Sequence, residues 1–233
     1  MPFFKGDDGG DDSEITNALV ALRKRLVKEI TTEQIAAMPK MVWKITSTYQ
    51  CLIRRTIEAA DGMRMARNVG NLLTAITMGR SLVETGAIVR NLADGIKKAV
   101  EARDTDALDE AVMHAGFATR DDVMLAERPE YKATNIITMV ERMDKSLFGD
   151  KTPRLRGAYD FLSEFAHPNH FGILGLYSKT VASEYRIEFG NAAEKKQNIL
   201  PNLRITSSMI WLVEVAGKEI DRLMPKIRAF VPK

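Results

Sequence analysis

Cysteine, histidine and long uncharged apolar runs are all scarce in this chain. Cys51 is the only cysteine among 233 residues. One thiol excludes an internal disulfide and any four-thiolate metal site, and it fits a reducing compartment. His114, His167 and His170 are the only imidazoles. No Gly-rich phosphate loop, no Gly-x-Ser-x-Gly elbow and no Cys–His pairing of recognised spacing occurs, so the motif-bearing nucleotide-binding and hydrolase classes have no support. The start, Met1 to Asp12, carries no apolar run of signal-peptide length. No later stretch reads as long and uncharged enough to span a bilayer. The expectation is a soluble, cytoplasmic chain with no membrane partner. No repeat of fixed period is present.

Against these absences stands ample core material. With 45% hydrophobic residues, a chain of this length needs neither disulfide nor structural metal to hold together. The net charge of +3 hides blocks. Residues 13–100 hold fourteen Lys/Arg against seven Asp/Glu, whereas residues 101–150 hold six against twelve. Such blocks make a basic surface for phosphates, or they neutralise one another across helix contacts, and the second reading is favoured.

Gly and Asp dominate residues 6–12, so residues 1–12 are expected to be a flexible tail and 13–233 a single helical bundle domain. Ile15, Leu19, Leu22 and Leu26 recur at helical spacing up to about Ile30. Thr32 caps a short segment that Pro39 interrupts. Met41, Val42, Ile45, Tyr49, Leu52, Ala59 and Met63 then line a long helix, and Leu72, Ile76, Val83, Ala87 and Leu92 a second one over 71–102. Two such neighbours suggest an antiparallel hairpin. Shorter helices follow over 104–114, from Thr119 to Pro129 and over 131–148, the last with Ile136, Met139, Val140, Met143 and Leu147 toward the core. Thr152-Pro153 starts a helix that Pro168 stops after His167. Residues 170–177 and 185–190 alternate over short distances and carry glycine, which predicts a small β-hairpin. A last helix is expected over 201–224, bounded by Pro201 and Pro225. The fold class is therefore mainly α: a helical bundle with one small hairpin before the C-terminal helix.

Two groups of residues carry chemistry. Tyr159, Ser163 and His167 fall at i, i+4 and i+8 and share a helix face, with Leu155, Leu162 and Phe165 on the core side. The proline after His167 sets that imidazole at the helix C-terminus, where dipole and carbonyls favour it without any catalysis. Arg80 and Glu84 lie one turn apart on a helix made close-packing by Gly79, Ser81, Thr85 and Gly86. If Tyr159 or His167 reaches them, the five residues Arg80, Glu84, Tyr159, Ser163 and His167 form a polar seam inside the bundle. Glu164-x-x-His167 has the spacing of di-iron ligands, but such sites use the motif twice and it occurs once here, so no metal and no cofactor are expected.

Arg80-Ser81-Leu82-Val83-Glu84, then Asn135-Ile136-Ile137, then Tyr159-x-x-Leu162-Ser163-Glu164-x-x-His167-Pro168 resemble bacterial helical proteins grouped as a domain of unknown function. The resemblance covers roughly residues 40–225. More distantly it extends to the HEPN superfamily, helical bundles that often dimerise and include ribonucleases of toxin and phage-defence systems. It implies a homo-oligomer whose partners are RNA or another protein. That superfamily's hallmark is an arginine, then four to six intervening residues, then a histidine on one helix. His167 matches the histidine, but Asp160, Phe161 and Leu162 stand where the arginine would be, and Arg156 lies about 16 Å away along a straight helix. The favoured reading is a non-enzymatic binding or interaction module. The alternative is a metal-independent, RNA-cleaving protein using His167 with Arg80.

Overall fold

A computed structural model describes residues 13–149, 154–190 and 196–231. The expected tail over 1–12 and the Thr152-Pro153 helix start lie outside the described residues. The architecture is mainly α with one small antiparallel hairpin before the C-terminal helix.

The bundle forms around one helix. Asn71 caps α4 (Leu72–Ala102) by accepting from the Thr74 backbone N–H, and Arg103 closes it in a left-handed conformation. Leu72, Ile76, Val83, Ala87 and Leu92 are all fully or almost fully buried, as their spacing predicts. Around α4 pack α3 (Lys40–Asn68), α5 (Thr105–Phe117), α7 (Ile136–Phe148), α8 (Arg154–Ala166) and α9 (Lys196–Phe230). α1 (Ser13–Lys24) lies on α9 and α3, and the short α2 (Thr32–Ala37) and α6 (Asp122–Glu127) are peripheral. Contrary to the sequence expectation, α4 is long and apolar enough by length and composition to cross a membrane. Its most apolar stretch is 56% buried inside the bundle, which is the placement of a core helix.

Glycines on α4 set how closely α9 approaches. A Cβ on Gly79 would sit 2.9 Å from Leu203 Cδ2, and one on Gly86 would sit 2.8 Å from Met209 Sδ. Helix axes come together where side chains are absent, and here that fixes the register of α4 against α9.

Four local expectations are corrected. α1 ends at Lys24 rather than near Ile30. Side chains of α3 capture the following backbone: Gln50 accepts from Val27 N–H and donates to the Arg25 carbonyl, and Arg54 donates to the Val27 carbonyl. The cap of α2 is Thr31, in a reciprocal box with Gln34, rather than Thr32. Leu147 is exposed instead of core-facing. Residues 171–175 form a π-helical turn instead of a strand, and the hairpin is β1 (Ser178–Val181) paired with β2 (Arg186–Phe189), with Ser178 opposite Phe189 and Val181 opposite Arg186.

The charge blocks partly neutralise each other. Lys44 of the basic block pairs with Asp109 of the acidic one, and Arg156 of the C-terminal part pairs with Glu141 of the same acidic block.

Candidate functional site

α8 is held at its first turn by a carboxylate from the preceding helix. Asp144, buried within α7, accepts backbone N–H bonds from Arg154 at 3.3 Å, Leu155 at 3.2 Å and Arg156 at 3.0 Å. Helix N-termini leave unpaired N–H donors and favour negative charge, so one carboxylate fixes both the start and the tilt of α8. Arg156 adds an outer clasp to Glu141 and Asp160, and its hydrogen bond with Asp160 is the main reason its pKa lies above the ordinary arginine value.

The C-terminal end of α8 is fixed differently. The π-helical turn folds back so tightly that a Cβ on Gly172 would lie 1.9 Å from the His167 carbonyl oxygen. Gly172 N–H also donates to Asn169 Oδ1 at 3.0 Å, and Asn169 Nδ2 donates to Glu164. Phe165 bridges Phe161 and Phe171 with ring centroids 4.8 and 5.8 Å apart.

Between these anchors α8 lays Tyr159 and His167 against Arg80 and Glu84 of α4. The Tyr159 hydroxyl donates to Glu84 Oε1 at 3.1 Å and accepts from Arg80 Nη2 at 3.2 Å. Arg80 Nη1 stands 3.5 Å from His167 Nε2, and Arg80 Nε lies 3.2 Å from Glu84 Oε1. The guanidinium carbon is 5.3 Å from the Tyr159 ring centroid, so the arginine also has an aromatic contact. Tyr159 is 3% exposed, whereas the Arg80 and Glu84 side chains are 28% and 27% exposed and His167 is exposed. The seam thus runs from a buried phenol to a solvent-facing imidazole.

Of the five residues predicted to form it, four meet. Ser163 does not join them: its hydroxyl donates to the Tyr159 carbonyl one turn back, at 2.7 Å. This is the usual alternative for a helical serine, whose short side chain reaches its own backbone more easily than a neighbouring helix. Asn91, two turns beyond Glu84 on α4, donates to the Ala87 carbonyl at 2.8 Å and lies 3.5 Å from the Met139 carbonyl. His114 lies far along the chain on α5, 3.9 Å from Glu110. Among the described residues no group of three His, Cys, Asp or Glu side chains converges on a common point.

Arg55 is the residue that sequence reasoning misses. It extends from α3 across to α4, where Nε donates to Thr85 Oγ1 and Nη2 to Ser81 Oγ, both at 3.1 Å. Thr85 is fully buried and its own hydroxyl donates to the Ser81 carbonyl, so that acceptor is itself fixed. Among the described residues no carboxylate oxygen pairs with Arg55. Arg55 and Arg80 line opposite walls of an open groove of about 520 Å³ between α3 and α4, together with Glu58, Thr77, Ser81 and Glu84. The only sequence signal for it is the basic pair Arg54-Arg55 on a long helix.

No protein-family model matches the chain, and the searches of curated proteins and of solved structures likewise give no match.

Proposed function

We propose that the protein is a non-enzymatic helical binding module whose α3/α4 groove takes a phosphate-bearing ligand at Arg55, while the Arg80–Glu84–Tyr159–His167 seam joins α4 to α8 and stiffens the groove wall. The observation that carries this reading is the unequal use of two arginines. Arg80 is directed at Glu84, Tyr159 and His167 within its own chain. Arg55 is braced by two hydroxyls, and among the described residues no carboxylate oxygen pairs with it. A guanidinium held in place by neutral acceptors keeps its full charge and its remaining N–H donors for an incoming anion, which it binds through paired hydrogen bonds. The groove's lining sets Arg55 and Arg80 against Glu58 and Glu84, and the Arg80–Glu84 pair takes one charge of each sign out of play. The free, exposed thiol of Cys51 suits a cytoplasmic setting.

A second reading rests on the approach of Arg80 Nη1 to His167 Nε2. In it α4 supplies the arginine that the helix of His167 lacks, and the bacterial, HEPN-like resemblance points to RNA cleavage, with the imidazole as general acid or base and the guanidinium offsetting charge on the phosphate.

One experiment separates them. A labelled single-stranded oligoribonucleotide is incubated with the native protein, Arg55→Gln and His167→Ala, in the presence of a chelator. The binding module retains the oligonucleotide intact, loses about tenfold in affinity with Arg55→Gln, as expected for one charged bidentate contact, and is unchanged in His167→Ala. Chelator-resistant cleavage that disappears in His167→Ala would replace this reading with the enzymatic one. Absence of binding would remove the phosphate ligand.

A further inference from the structure

The hairpin exposes more apolar surface than a small two-stranded sheet normally leaves open. Tyr185 is 99% exposed and Phe189 81%, with Ile187 also exposed, and the π-helical turn leading into the hairpin exposes Phe171, Ile173 and Leu174. Scattered apolar side chains are ordinary, but a run of them around an unpaired strand marks an interaction surface. β2 pairs only with β1, so its other edge carries backbone groups that no strand satisfies among the described residues.

The direction of those groups follows from one hydrogen bond. Gly190 N–H donates to the Tyr177 carbonyl, continuing the β1/β2 register by one pair. Backbone groups alternate sides along an antiparallel strand, so Glu188 and Arg186 also turn toward β1. Ile187 and Phe189 therefore point their N–H and C=O groups outward, to the open edge.

The charges on β2 then select what this edge accepts. If a second β2 runs antiparallel to the first with Ile187 opposite Ile187, Arg186 of each strand faces Glu188 of the other. Those two side chains share the same sheet face, on which they already attract one another at 2.5 Å. Moving the centre of symmetry to Arg186 would oppose two arginines, and moving it to Glu188 would oppose two glutamates. The outward-facing backbone agrees with the charges, because an Ile187-centred pair is a hydrogen-bonded one. On the opposite face the two isoleucines meet, with Phe189 of each strand flanking them.

We propose that two copies of this chain associate through their β2 edges, antiparallel about Ile187, to form a continuous four-stranded sheet. The strand is self-complementary in backbone direction, charge and apolar face, and this favours a second copy over any unrelated partner. A lone two-stranded ribbon is marginally stable and gains from further strands, so pairing also stabilises the hairpin. This inference stands apart from the groove and its ligand.

The test uses the full chain and two charge variants, R186E and E188R, in sedimentation equilibrium. The native protein is expected to dimerise. R186E places two acids on the strand and E188R places two bases, so each variant repels its own copy across both symmetric pairs and self-associates at least about tenfold more weakly. Mixed in equal amounts, the two variants restore a dimer, because every acid then faces a base. That recovery also shows that both variants are folded. A native protein that stays monomeric at about 100 µM, as an order of magnitude for weak self-association, would overturn the proposal. So would a dimer indifferent to both substitutions, or a mixture that remains monomeric.

Discussion

Replacing Asp144 by alanine is expected to cost about 3 kcal/mol of unfolding free energy, the combined loss of a charged helix cap and of acceptors for three N–H groups in a buried place. For a chain of this length that corresponds to a fall of roughly 6–12 °C in melting temperature. The amide variant D144N does not replace the native carboxylate: it keeps one carbonyl for Arg154 and Leu155 but turns an amide donor toward Arg156, and it should fall between the alanine variant and the native protein. Removing Asp160, whose pairing with Arg156 is half exposed, is the matched control and should change stability by less than about 1 kcal/mol. Denaturant unfolding of the three variants checks this order. Equal losses from D144A and D160A would mean that Asp144 does not hold α8.

An alanine at position 217 should be at least as damaging. Its Cβ would lie 1.9 Å from the Tyr49 hydroxyl oxygen and 2.6 Å from Cζ, distances that no side-chain flexing absorbs when the ring is 5% exposed. The hydroxyl donates to the Val213 carbonyl at 2.9 Å, and burial is the main cause that holds the phenol's pKa well above its usual range. Accommodating the methyl group means expelling the ring, breaking that bond and opening the contact between α3 and α9. Overpacking of this severity costs about 3 kcal/mol or more. In a Tyr49→Leu background the same G217A change should cost much less, since the atoms it strikes are gone. Additive losses in the two backgrounds would show that the contact with Tyr49 is not the source.

Much of this arrangement is legible in the sequence, because the helices that carry the seam are strongly periodic. Leu72, Ile76, Val83, Ala87 and Leu92 define a buried face of α4, which by geometry puts Arg80 and Glu84 together on its flank. Tyr159 and His167 share a face of α8 for the same reason. That these two faces meet is a condition in the sequence and an observation in the structure. Ser163 departs from the expected seam because periodicity gives a face but not whether a hydroxyl turns to its own backbone.

The remaining differences come from interactions between distant segments. α1 stops early because Gln50 and Arg54 compete for backbone groups that the helix would otherwise use. α9 passes through Pro201 and Pro225, which read as its ends in the sequence. A proline inside a helix costs about 3 kcal/mol, but extending the helix beyond Pro225 buries Ile227 and carries the chain on to a buried Val231, each contributing roughly 1.5–3 kcal/mol. Tertiary burial therefore outweighs the local preference. Beyond the basic pair Arg54-Arg55, the sequence does not single out Arg55, because its partners Ser81 and Thr85 lie 26 and 30 residues away, on a different helix.

The joint between α4 and α8 is tested most directly by a double-mutant cycle on Glu84 and Tyr159, using Glu84→Gln and Tyr159→Phe in equilibrium unfolding. Each single variant should lose about 1 kcal/mol, a modest figure because the Glu84 side chain is 27% exposed and partly screened. The double variant should lose less than the sum by at least about 0.5 kcal/mol, the signature of residues in direct contact. Unfolding midpoints unchanged in both single variants, or losses that simply add, would contradict a structural seam at this position.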